Sequence, residues 1–145
     1  MKKQHGFNLV ELMVVVAIVA IIAAIAYPSY TEQVRKARRA ECGGGLTSLA
    51  SAMERYFTVN STYLGAADGG DPTGEPEIFT STCPVDGGTA TYNLTISAAT
   101  ASTYTVQAAP TGAQTKDKCG TLTLTSTGLK GVTGADAGVT RQDCW

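Results

Sequence analysis

The 145-residue sequence predicts an α+β protein in which one long N-terminal helix is laid against an antiparallel sheet of three to four strands. Three observations lead there. Residues 12–26 are apolar without exception, and helical spacing of apolar residues then continues to Phe57. Beyond residue 90, three short segments alternate apolar and polar residues, the period-two pattern of half-buried strands.

The helix comes first. Residues 7–27 are interrupted only by Asn8 and Glu11, and at about 1.5 Å per residue they extend roughly 31 Å, the hydrocarbon thickness of a bilayer. A cleaved secretory signal would have a shorter apolar core followed by a small-x-small site. Here Tyr27-Pro28-Ser29-Tyr30 follows, so the run reads as a retained span. A carboxylate inside hydrocarbon costs at least a few kcal/mol, which marks Glu11 as functional. Pro28 lacks an amide donor and should loosen the helix at its level. Past it, Val34, Ala37, Leu46, Leu49, Met53, Tyr56 and Phe57 keep near-helical spacing. Gly43, Gly44 and Gly45 each cost about 1 kcal/mol relative to alanine in a helix, so a weak point is expected there: a bend, a break, or a place where another backbone comes close.

Residues 60–88 are rich in Gly, Pro, Asp and Thr and read as a long surface connection. The strands follow at 90–96, 103–108 and 120–125, joined by turn-prone links at 97–102 and 110–118. Such spacing implies a meander whose apolar face, Tyr92, Leu94, Ile96, Tyr104, Val106, Leu122 and Leu124, packs on Leu49, Met53, Tyr56 and Phe57.

A formal net charge of -1 supplies no global basic field, so any contact with nucleic acid must be local. Cys42, Cys83, Cys119 and Cys144 contain no C-x-x-C pair, and His5 is the single imidazole, so zinc spacing is absent. An even number of cysteines in a Gly/Thr/Ser-rich chain with an export-like N-terminus reads as two disulfides formed outside the cytoplasm, with three connectivities open. Neither G-x-S-x-G nor a phosphate loop occurs. The expectation is a non-enzymatic protein without a cofactor or resident metal.

Met1-Lys2-Lys3-Gln4-His5-Gly6, followed by Phe7, Glu11 and Pro28, closely resembles the start of the type IV pilins and the related type II secretion pseudopilins. The resemblance implies the pilin fold and three segments: a leader at 1–6, a transmembrane and filament-core half-helix at 7–28, and a periplasmic, later extracellular, globular domain at 29–145. It implies that a prepilin peptidase cuts after Gly6 and methylates the Phe7 amine. The product would sit as a single pass in a bacterial inner membrane, meet the assembly platform there, and enter a pilus of like subunits. Glu11 would pair with the Phe7 amine of a neighbouring subunit, each charge offsetting the other's desolvation. Pro28 would let the helix re-angle on leaving the bilayer.

The resemblance also implies a C-terminal loop bounded by Cys119 and Cys144, leaving Cys42 to pair with Cys83. A second cysteine pair looks more like certain minor pilins, including those that prime assembly or serve transformation. The function implied is a structural pilus subunit involved in assembly, adhesion and twitching. One alternative is a minor competence pilin whose Lys116, Lys118, Lys130 and Arg141 touch DNA phosphates. Interleaved Asp117, Asp136 and Asp143 favour a solvated charged rim for those four, because phosphate binding needs a concentrated positive patch. The other alternative is a secretion pseudopilin with calcium on Asp68, Asp71, Glu75 and Glu77, although these match no EF-hand spacing.

Overall fold

In a computed structural model, which describes residues 8–145, helix α1 covers Leu9–Asn60. Gly6 and Phe7, with the cleavage and methylation expected at them, lie outside the described residues. The chain forms two compact units, Met1–Val34 and Arg35–Trp145, and α1 contributes to both.

In the first unit Asn8 precedes the helix and its Oδ1 accepts the Val10 N–H at 3.4 Å, supplying one free amide of the first turn with a weak partner. Glu11 lies in that first turn, where a carboxylate complements the helix dipole. Leu9, Val14, Ile18, Ile22 and Ile25 are all exposed. The helix is long and apolar enough to cross a membrane, its most apolar 18-residue window having a mean hydropathy of 3.0. It passes through Pro28 without interruption, and Thr31 Oγ1 donates to the Pro28 carbonyl at 2.9 Å.

In the second unit, α1 buries Arg39, Cys42, Leu46, Leu49 and Met53, alternating steps of three and four that make one face. That face shares a core with the sheet, in which every apolar residue expected from the strand alternation is buried. The helix is also unbroken across Gly43, Gly44 and Gly45, contrary to the weak point expected there. The reason is partly covalent. A Cβ on Gly45 would lie 2.8 Å from Cys83 Sγ, so glycine admits the Cys42–Cys83 disulfide against the helix rather than breaking it.

The sheet has five antiparallel strands in chain order, β1 (Thr82–Cys83), β2 (Tyr92–Ala99), β3 (Tyr104–Pro110), β4 (Thr121–Thr125) and β5 (Lys130–Thr133), not three to four. β1 has only two residues and β5 follows β4 through a turn in which Gly128 takes φ 78°. Neither is long enough to show alternation. β2 runs on to Ala99, past the link expected from residue 97, because a register shift between Ile96 and Ala98 keeps it paired to β3. Residues 60–88 are not wholly surface: Tyr63, Ala66, Ala67 and Cys83 are buried. Tyr63 stacks on Phe57 at 4.6 Å between centroids and meets Tyr104 edge-on at 4.8 Å, which draws this connection into the core.

Candidate functional site

Lys116, Asp117 and Lys118 follow one another between β3 and β4, yet their side chains meet different surroundings. Asp117 is fully buried, and its Oδ1 accepts from Arg39 at 2.5 Å and from the Cys119 N–H at 3.2 Å. Its Oδ2 accepts from the Tyr92 hydroxyl at 2.7 Å and from Gln114 Nε2 at 2.9 Å. Gln114 Nε2 also lies 3.0 Å from the Arg35 carbonyl. One carboxylate thus ties α1, β2 and the short 3-10 turn Gly112–Lys116 together. Burial alone would raise the Asp117 pKa, but donation from Arg39, Tyr92 and Cys119 outweighs it and holds the carboxyl below 3.8. The charged-rim reading is therefore wrong at this residue, because Asp117 is withdrawn from the surface and cannot screen its neighbours.

Lys116, Lys130 and Arg141 are exposed and Lys118 is half-buried. Lys130 stands with Nζ 4.8 Å from the centre of the Trp145 ring, a cation–π contact. Lys130, Arg141 and Trp145 line one surface groove of about 330 Å³, with Leu129 and Gln142. Lys118 faces Asp143 electrostatically, and the Asp143 carboxylate accepts from the Thr140 N–H at 2.9 Å and hydroxyl at 2.7 Å. Those two donors hold the Asp143 pKa below its ordinary value. Asp136 is exposed, its N–H bonded to the Lys118 carbonyl. Lys116 ends the 3-10 turn and is not among the residues lining the two grooves beside Trp145, of about 300 and 330 Å³. Two of the four suggested cations, Lys130 and Arg141, thus share one groove beside Trp145; Lys118 is placed by Asp143, and Lys116 stands apart.

That face is built by the chain's last residues. Cys119 is bonded to Cys144, with 5.7 Å between their Cα atoms. Trp145 Nε1 donates to the Gly131 carbonyl of edge strand β5 at 2.9 Å. Trp145 was not singled out from the sequence, nor were Arg39 and Gln114. Arg39 and Asp117 are 78 positions apart, and no periodicity connects them. Among the described residues no three of His, Cys, Asp and Glu gather to hold a metal ion. Asp68 and Glu75 meet instead through backbone, Asp68 N–H to Glu75 C=O at 2.8 Å.

Comparison with known proteins extends this description. The family model for the prokaryotic N-terminal methylation motif matches residues 1–27, the segment holding Gly6, Phe7 and Glu11. No curated protein sequence matches the chain. Among solved structures, the non-core minor pilin PilV of Neisseria meningitidis aligns with a TM-score of 0.53 at 21% identity, over 74% of this chain and 94% of that one. A type IV pilin from Shewanella oneidensis gives a TM-score of 0.46 at 23% identity, over 77% of this chain and 97% of that one. The likeness to PilV shows the fold: a long N-terminal helix with an antiparallel sheet. A second family model, described as type IV minor pilin ComP, DNA uptake sequence receptor, matches residues 28–123 and so covers most of the sequence. The chain belongs to that family of type IV minor pilins.

Proposed function

We propose that this minor pilin receives DNA at the surface of a type IV pilus. In this reading a prepilin peptidase removes residues 1–6 after Gly6 and methylates Phe7. Residues 7–28 then hold the chain in the inner membrane and later in the filament core, and residues 29–145 form the exposed domain. Glu11 pairs with the Phe7 amine of a neighbouring subunit, and Pro28 lets the helix adjust as the assembly platform draws it out of the bilayer. Phosphates meet Lys118, Lys130 and Arg141, with Lys116 a separate outlying contact. Adhesion and twitching then belong to the filament as a whole. No step calls on catalysis or a cofactor.

The match to a family described as a DNA uptake sequence receptor is the observation that carries the reading. The withdrawal of Asp117 supports it, since Lys130 and Arg141 in the groove beside Trp145, and Lys118 nearer Asp143, have one fewer carboxylate to oppose them. A deletion strain tests it, with pili viewed by electron microscopy, purified filaments probed for this chain, and uptake of added DNA measured. The expected result is pili still present, the chain scarce but detectable in wild-type filaments, and uptake lost until the gene is restored. Unchanged DNA uptake in the deletion strain would overturn the receptor role.

A further inference from the structure

Of the three consecutive glycines in α1, only Gly45 is accounted for by the chain's own packing. A Cβ on Gly44 would meet nothing within 4 Å, and one on Gly43 would make an ordinary contact with the Trp145 ring at 3.6 Å. Alanine would therefore fit at both positions and would strengthen the helix. Glycine there leaves open a groove of about 300 Å³ between the Arg35–Asn60 part of α1 and the C-terminal residues. Lys36, Thr47, Lys130 and Trp145 line it beside the two glycines.

We propose that this groove seats one sugar–phosphate unit of the DNA backbone, an inference that rests on the DNA-receiving role above. The charges fit an anion. Among the lining residues Lys36 and Lys130 are exposed cations, Arg39 gives its charge to Asp117, and the one remaining side-chain carboxylate, Asp143, is turned to Thr140 and faced by Lys118, so the cations outweigh it. The floor fits a sugar, because two residues without side chains and the edge of an indole let a deoxyribose come close to the helix backbone. The wall is set before binding: the Cys119–Cys144 disulfide and the Nε1–Gly131 bond fix Trp145, and Trp145 in turn holds Lys130. A phosphate on Lys36 and Lys130 would join this groove to the neighbouring one lined by Lys130 and Arg141, giving the backbone a continuous track.

The test uses the full chain in detergent and a duplex oligonucleotide, with affinity measured over a range of salt for wild type, Gly44→Leu and Lys36→Ala. Leucine at 44 enters the groove from a position with free space and favours helix, so its melting temperature should equal or exceed that of wild type. Each variant is expected to bind about tenfold more weakly, with the salt slope reduced by about one phosphate contact. Wild-type affinity and slope in a folded Gly44→Leu protein would overturn the groove while leaving the DNA role in place. Should Gly44→Leu fail to fold, the exposed Lys36→Ala change decides by the same criterion. Failure of the wild-type chain to bind DNA overturns the role itself and the groove with it. Normal DNA binding by Gly44→Leu with loss of the chain from filaments would assign the groove to a neighbouring pilin and overturn its assignment to DNA.

Discussion

Asp117 lies between two lysines in sequence and turns away from both. Its pairing with Arg39 takes place out of water, with the two side chains 0% and 3% exposed, so removing one partner strands a buried charge. Asp117→Ala is expected to cost about 3 to 5 kcal/mol, read as a shift in the denaturant midpoint. Because the folded carboxyl titrates below its ordinary value of 3.8, its contribution is fully present above that pH and is lost as pH falls from about 4 toward the lower folded value. Asp117→Asn should accordingly lower stability at neutral pH and flatten the acid limb of a stability-against-pH curve. An unchanged acid limb would remove Asp117 from the account. The glycines offer a paired comparison. Gly44→Ala should stabilise by roughly 1 kcal/mol through helix propensity. Gly45→Ala should destabilise by about the same amount, because its methyl meets Cys83 Sγ at 2.8 Å. Thermal melts of the two would show opposite signs.

At the level of elements, helix and central strands were legible because burial imposes a period. The three-and-four spacing of Leu46, Leu49 and Met53 and the alternation of Tyr92, Leu94 and Ile96 were visible in the sequence, and both sets lie in one core. β1 and β5 were not, since two- and four-residue edge strands owe their form to pairing with β2 and β4 rather than to their own pattern. Clustered charge was legible as clustered charge; Arg39 falls on the three-and-four face of Cys42, Leu46 and Leu49 and Lys36 does not, but the partner that Arg39 meets there is distant in sequence. The two disulfides close loops with sequence separations of 41 and 25, worth about 4 and about 3.5 kcal/mol in the chain-entropy model. Cys119→Ser with Cys144→Ser should therefore lower stability by about 3 kcal/mol in chemical denaturation. That change should also weaken DNA binding, since Trp145 and Lys130 lose their anchor. Tyr92 and Tyr104 add an alkaline limit. Burial first, then donation to Asp117 and Glu54, pushes both hydroxyls well above 10.0. Their contribution is intact below pH 10 and falls as pH rises beyond it, where the unfolded chain ionises and the folded one resists. Tyr92→Phe should make that alkaline decline shallower.

For the whole molecule, the proposed reading has the same apolar residues of α1 meet lipid before assembly and other copies of the helix afterwards. Lipid tails are as apolar as the helices, so packing and polar pairing, not burial, must order the subunits while they remain in the membrane. In that reading Glu11, in the first turn of α1, takes that task. Glu11→Ala should leave the precursor processed and membrane-bound while reducing its recovery in sheared filaments severalfold, as judged by immunoblot; normal recovery would show that another contact sets the register. The receptor role is tested most directly by the affinity of the full chain in detergent for a DNA duplex between roughly 50 and 200 mM salt. The account requires log affinity to fall linearly with log salt, and the slope to drop by about two when Lys130 and Arg141 are both replaced by alanine. Binding indifferent to salt, or unaltered by that double replacement, would contradict it.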